Sequence, residues 1–163
     1  MHKSLLPILT FALITACDSE KDAQVCDPSA VNAGSATLDL DGEALEYNAT
    51  WMMTGSSLQL NLEAADSPSM LTLRLIQSDD GTSASELSDF PATFSLGDDQ
   101  SASATLYPPD QSPSATTQSD DIGLFEMADW NNSLTGCFSF TAVATDGTSY
   151  TVENGLINAT ERE

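Results

Sequence analysis

Short runs in which apolar and polar residues alternate cover most of the chain after its first 35 residues, and they constrain its fold more than any other feature. In residues 36–40 (ATLDL), Leu38 and Leu40 alternate with polar residues. A period of two places the apolar side chains on one face of a strand, so each run predicts a half-buried antiparallel strand. The Asp41-Gly42 pair that follows is the strongest short-range signal for a hairpin turn.

The runs predict about eight or nine strands, separated by turn signals at the spacing typical of a β-sandwich. The polar, proline-rich residues 108–121 are expected to form a loop. We therefore expect an all-β fold with a single antiparallel β-sandwich, and a β-barrel is the alternative. The predicted strands are residues 36–40, 44–54, 58–62, 71–75, 90–96, 101–107, 122–130, 136–145 and 149–158.

The closing hairpin is the best-defined unit, and it turns at Asp146-Gly147. Phe138 alternates with polar residues and is expected to enter the core together with Phe140. The Asn154-Gly155 pair inside the last strand predicts a β-bulge, which shifts the register there.

The first residues have the order of a secretory signal. Lys3 gives a positive start, residues 5–15 form an apolar run too short to span a bilayer, and small residues precede Cys17. The LITAC sequence at residues 13–17 resembles a bacterial lipobox, whose cysteine is lipidated before cleavage. We expect residues 1–16 to be a signal peptide, and the alternative is an ordinary secreted protein with an unpaired Cys17.

The interpretation divides the chain into residues 1–16 as the signal, residues 17–35 as the lipidated N-terminus and a flexible tether, and residues 36–163 as the β domain. It places the protein in the bacterial cell envelope, anchored by its lipid to the inner or the outer membrane. The domain would then lie in the periplasm or at the cell surface.

Two cysteines remain once Cys17 is lipidated. Cys26 and Cys137 form an even pair in an oxidising compartment, which predicts a disulfide bond. Because Phe138 faces the core, Cys137 should lie on the opposite face of its strand. The bond would then strap the end of the tether across the outside of the sheet.

The charge excludes nucleic acids as partners, since 25 acidic residues against four basic ones give a formal net charge of −21. The one histidine, His2, belongs to the predicted signal peptide. Its removal leaves no histidine for acid–base catalysis, for a Ser-His-Asp triad or for zinc ligation. We therefore expect a non-catalytic interaction or accessory module with an envelope protein or a glycan as partner.

Two alternatives use the carboxylates. A carboxylate-dependent glycan hydrolase would need a cleft in which one pKa is raised. A calcium-dependent binding protein would use the three Asp-Asp pairs of the predicted loops, although no EF-hand pattern is present and solvated loops explain them as well. The six candidate calcium ligands are Asp79, Asp80, Asp98, Asp99, Asp120 and Asp121.

Arg74 alternates out of phase with its leucine neighbours and is expected on the outer sheet face. It would make a weak surface pair there or, alternatively, grip a ligand carboxylate. Trp51, Tyr107 and Trp130 are expected to cover the core, and a binding patch is the alternative.

The residues near the end of the sequence resemble those of a protein family. The sequence GCFSFTA at residues 136–142, the Asp-Gly turn and VENGLI at residues 152–157 resemble the end of an uncharacterised family of small bacterial lipoprotein domains. The pattern of that family is G-x-F-x-F-x-A, a DG turn and V-x-N-G. The LDLDGE sequence at residues 38–43 and the nearby Trp51 resemble its start. The resemblance implies a β-rich envelope domain and no known activity.

Overall fold

The computed structural model describes residues 26–76, 90, 92–97, 102–110, 112–118, 123–129 and 133–162. These residues form one short 3-10 helix, Pro28–Ala30, and ten strands. Within them, no helix has the length and hydropathy needed to cross a membrane. The strands are β1 (Ser35–Leu40), β2 (Glu43–Thr54), β3 (Ser57–Ala64), β4 (Met70–Ile76), β5 (Thr93–Leu96), β6 (Ala102–Tyr107), β7 (Ala115–Thr116), β8 (Gly123–Asp129), β9 (Leu134–Ala144) and β10 (Ser149–Glu161).

Eight strands close into an antiparallel barrel in the order β1-β2-β3-β4-β6-β7-β9-β10. Closure occurs because β1 pairs with β2 on one side and with β10 on the other. The remaining two strands lie outside the ring, where β8 pairs with β9 and β5 pairs with β8. The all-β class is confirmed. The architecture found is the barrel, the predicted alternative, because the last strand returns to the first and so leaves no two separate sheets.

One expectation about the connections was wrong. Residues 108–121 contain β7, a two-residue strand that pairs with both β6 and β9. A segment this short has no measurable alternation, so sequence periodicity cannot detect it. This strand brings the number of strands to ten.

The barrel interior is filled mainly by leucine side chains. Leu58, Leu60 and Leu62 of β3 and the leucines of β4 are fully buried, while the residues between them point outward. Burial of one leucine stabilises the fold by about 1.5–3 kcal/mol. An eight-stranded barrel is just wide enough for such side chains to fill it.

On the side away from β10, strand β9 pairs with two different strands. β8 pairs with the first half of β9, up to Ser139, and β7 pairs with its end, at Val143 and Ala144. The buried hydroxyl of Thr117, next to β7, links β6 to the end of β5. It accepts a hydrogen bond from the Ala104 amide of β6 (3.1 Å) and donates one to the carbonyl of Gly97, which follows β5 (3.3 Å).

The outer strands β5 and β8 extend the core beyond the ring. Phe125 of β8 is fully buried, and its ring centroid lies 6.4 Å from that of Phe94 of β5. This tilted arrangement is favourable for two aromatic rings. β5 and β8 therefore add an aromatic layer to the leucine core.

The predicted bulge in β10 is present. The register against β9 shifts between Val152 and Gly155, and Asn154 has a positive φ of 54°. A Cβ at Gly155 would lie 2.5 Å from the Phe138 carbonyl oxygen, so only glycine fits against that strand. Phe138 and Phe140 are buried, as expected.

Candidate functional site

The disulfide between Cys26 and Cys137 is confirmed. Their Cα atoms are 5.7 Å apart, and 111 positions separate them in the sequence. Cys137 lies between the buried Gly136 and Phe138 of β9, on the outward side of the strand. The bond therefore lies on the outside of the barrel, as the alternation predicts.

Residues 26–34, which we call the strap, run from this bond across the outside of β9 and β10 to the start of β1. The Asn158 side-chain amide donates to the Val31 carbonyl (3.2 Å), and the Gly34 amide donates to the Asn158 carbonyl (2.7 Å). The side chain of Val31 is buried. The strap is thus held to the barrel along its length, and this fixes where the chain enters the domain.

A cavity of about 200 Å³ lies between the strap and strands β1 and β2. Polar side chains of Asn32, Thr37, Glu46 and Asn48 contribute to its lining. Pockets for small organic ligands usually have about 300–1,000 Å³. The cavity is too small to bury a ligand of that kind.

The outer faces of neighbouring strands carry two rows of in-register side chains, which we call the polar rows. One row contains Thr50, Asn61, Thr72, Thr105 and Thr116. The other contains Met52, Gln59, Arg74 and Ser103. None of these nine residues is acidic, although the chain has 25 acidic residues.

Hydrogen bonds hold several side chains of the polar rows in place. The Gln59 side-chain amide donates to Oδ1 of Asn61 (2.8 Å), and the Thr72 hydroxyl donates to the same atom (3.4 Å). The hydroxyls of Thr105 and Thr116 lie 3.4 Å apart. Asn61 is 7% exposed, so its orientation is also set by packing.

Arg74 belongs to one of the polar rows, and Tyr107 lies beside them. Tyr107 follows Thr105 on the outward face of β6 and is 43% exposed, so the expectation that it covers the core was wrong. Its position out of phase with the buried Leu106 explains the exposure. Arg74 lies on the outer face, as predicted, between Gln59 and Ser103.

Several predicted site residues lie outside the described residues. These are Cys17, Trp130 and all six candidate calcium ligands. Trp51, by contrast, is buried in the core, as expected. In the part of the chain that the structure describes, no group of three or more His, Cys, Asp and Glu side chains is placed to hold a metal ion.

Sequence reasoning did not find the polar rows, because their alignment depends on the registers of five strands. The available signal was the absence of acids from the outward positions of residues 59–61, 72–74 and 103–105. No protein-family model matches the chain, and comparisons with curated proteins and with solved structures also gave no match. The resemblance to envelope lipoprotein domains stays a prediction.

Proposed function

We propose that this chain is a lipid-anchored lipoprotein of the bacterial cell envelope and that its barrel is a non-catalytic binding or accessory module. Residues 1–16 would be removed, and Cys17 would carry the lipid. The observation that supports this most directly is the Cys26–Cys137 bond. Structural disulfides persist in oxidising compartments such as the periplasm and are rare in the cytosol.

The strap limits how far the barrel lies from the anchor. Residues 18–25 connect Cys17 to the start of the strap. Eight residues span at most about 30 Å when fully extended. The barrel would therefore stay close to the membrane surface, with its orientation restricted by the disulfide on β9.

The non-catalytic assignment rests on the side chains that remain after processing. Without His2, reactive chemistry would have to come from carboxylates or hydroxyls, and a carboxylate acid needs a raised pKa in a cleft. A membrane-anchored barrel with polar outer faces is instead suited to bind an envelope protein or a glycan. Turnover of a glycan that one Asp or Glu substitution abolished would contradict this assignment.

The anchor is tested with Cys17→Ala, expressed with its own signal and labelled metabolically with an alkyne fatty acid. We expect the unchanged protein to be labelled and membrane-bound, because several acyl chains anchor stably. The variant should be unlabelled and soluble with an unchanged thermal midpoint. The matched control is the double variant Cys26→Ala/Cys137→Ala, which should keep the label. A Cys17→Ala protein that stayed on salt-washed membranes would contradict the proposal.

A further inference from the structure

We propose that the cavity between the strap and strands β1 and β2 binds the ammonium group of a lysine side chain that a partner protein presents. The inference deepens the proposed function by giving the chemistry of the partner, and it rests on that function for the partner's place in the cell envelope. Its own basis is the arrangement, the charge and the hydrogen-bonding capacity of the side chains that line the cavity.

Four polar side chains form the floor of the cavity. They are two cross-strand pairs, Ser35 with Asn48 and Thr37 with Glu46. All four lie on the outward face, because the residue between them in each strand is buried. Opposite Cβ atoms in such pairs are about 5 Å apart, and residues two positions apart on one strand are separated by about 7 Å. A small group placed above the middle of this square can therefore reach several of the four side chains.

The strap forms one wall of the cavity, and Ala65, which follows β3, also contributes to the lining. The disulfide and the burial of Val31 hold the strap in position. The cavity therefore exists before a ligand arrives, which reduces the entropy lost on binding. A volume of about 200 Å³ admits the end of a single side chain. The apolar stem of a lysine can pack against Ala30 and Ala65 while its ammonium group meets the polar floor.

The fold makes no use of the polar side chains of the cavity. Within the part of the chain that the structure describes, none of these side chains has a hydrogen-bond or ion-pair partner, and they belong to Asn32, Ser35, Thr37, Glu46 and Asn48. Each of them carries an oxygen atom that accepts hydrogen bonds. An ammonium group has three donors and no acceptor, so it matches a cavity that offers several acceptors.

The charge of the cavity selects a cation. Glu46 is the one charged residue among the described residues of the lining. Two exposed acidic residues lie beside it, since Glu63 is paired with Asn48 and Asp66 follows the lining residue Ala65. The net charge of −21 attracts cations over a longer range. A positively charged side chain is therefore favoured over a neutral or an acidic one.

A calcium ion matches the cavity less well than an ammonium group. Calcium takes about six to eight oxygen ligands, and carboxylates usually supply several of them. The lining has only the Glu46 carboxylate among its described residues. A guanidinium group is also less suited, because its planar fork is wider than the compact ammonium group on a flexible stem.

The simplest alternative is that water alone solvates these side chains. The test uses the full lipidated protein, isotopically labelled and held in micelles of an uncharged detergent, with its amide NMR shifts followed during titration. Two probes carry the ammonium group. One is n-butylamine, which reproduces the end of a lysine side chain, and the other is a short blocked peptide of glycine and serine with one central lysine. The same peptide with glutamine in place of lysine is the ligand control.

We expect saturable shifts at the amides of Asn32, Thr37 and Ala65 with both ammonium probes and no such shifts with the glutamine peptide. The lysine peptide should bind more tightly than n-butylamine, because the side-chain amides of Asn32 and Asn48 can donate to its backbone carbonyl groups. Binding should weaken as salt is added, since screening reduces the attraction between exposed charges.

Glu46→Gln should weaken the binding of the lysine peptide by about tenfold, because a charge-assisted hydrogen bond is lost. The matched control is Glu43→Gln, which changes the net charge equally at an exposed position of the same strand outside the cavity. This control should bind like the unchanged protein. An equal loss of affinity in the two variants would show that the overall charge, and not the cavity, attracts the probe.

Three further outcomes would overturn the inference. One is the absence of saturable shifts with both ammonium probes, and another is the same set of shifts produced more readily by calcium than by the lysine peptide. The third is equal affinity for n-butylamine and the lysine peptide, which would assign the cavity to free amines and not to a partner protein. None of these outcomes affects the membrane fractionation of Cys17→Ala, so the failure of this inference and the failure of the lipoprotein proposal are distinguishable.

Discussion

The phenol oxygen of Tyr47 lies 2.9 Å from the hydroxyl oxygen of Ser69, and both residues are 2% exposed. The Ser69 hydroxyl donates its own proton to the Tyr107 carbonyl (3.2 Å), so Tyr47 is the donor in this pair. Burial disfavours the phenolate and raises the pKa of Tyr47. This buried chain of hydrogen bonds joins β2 to the start of β4 and the end of β6.

Tyr47→Phe should lower the free energy of unfolding at neutral pH by about 1 kcal/mol, because one buried hydrogen bond is lost while Ser69 keeps its acceptor. Urea unfolding measures the difference. Tyr150→Phe, the same change at a partly buried position, is the matched control and should have a smaller effect. An equal loss in both variants would contradict the role of the Ser69 contact.

Tyr47 should also make the fold sensitive to alkali. A raised pKa means that the folded state holds the proton more tightly, so the contribution is complete below the ordinary tyrosine pKa of about 10 and is lost as the pH rises through the folded value. The free energy of unfolding should therefore decrease above about pH 10, and less so in Tyr47→Phe. Identical alkaline slopes in the two proteins would show that Tyr47 does not titrate in this way.

Reduction of the Cys26–Cys137 bond should lower the thermal midpoint clearly while leaving the barrel folded. For a closed loop of about 110 residues, chain entropy gives on the order of 4–5 kcal/mol, an upper figure because structure in the unfolded chain reduces it. Calorimetry with and without dithiothreitol measures the change. The Cys26→Ser/Cys137→Ser variant is the control, since its midpoint should not respond to the reductant.

Gly155→Ala should destabilise the barrel much more than Gly147→Ala. At Gly155 a methyl group would meet the carbonyl and ring of Phe138, whereas at Gly147 it meets nothing within 4 Å. The first change should cost about 3 kcal/mol or more because the backbone must move. The second should cost about 1 kcal/mol for its positive φ. Equal urea midpoints would mean that β9 and β10 can separate at the bulge at little cost.

The carboxylate of Asp146, in the turn of the closing hairpin, should add a small sensitivity to acid. The Thr148 amide donates to Asp146 (2.9 Å) and lowers the pKa of its carboxyl. A lowered pKa stabilises the fold above the unfolded value of about 4, and the contribution is lost as the pH falls through the folded value. Asp146→Ala should therefore lower the thermal midpoint at pH 7, and the difference should disappear at the acid end of a pH series. A difference independent of pH would contradict this origin.

The parts of the fold that depend on local sequence were predictable. Asp41-Gly42 and Asp146-Gly147 each connect neighbouring strands, and alternation correctly assigned Leu60 and Phe138 to the core. Local sequence does not show whether the barrel closes, because closure depends on β1 pairing with β10 near the end of the chain. A sandwich and a barrel use the same alternation, so only these distant pairings distinguish them.

Part of the site could likewise be predicted from the sequence, and part of it could not. The Cys26–Cys137 bond followed from the number of cysteines and the compartment, and its outward position followed from the phase of Phe138. The polar rows could not be predicted, because Asn61 meets Thr72 only in one register of β3 against β4. A shift of that register by one residue would place the outward side chains on the other face.

The two-residue strand β7 is a weakly paired part of the barrel wall. Few ladder bonds hold it to β6 and β9, and the Thr117 hydroxyl supplies part of the connection in place of a longer strand. Local opening requires the least free energy where few hydrogen bonds must break together. Amide hydrogens near Thr117 should therefore exchange with solvent well before those of Leu60. The barrel can loosen along this line while the leucines of β3 and β4 stay packed.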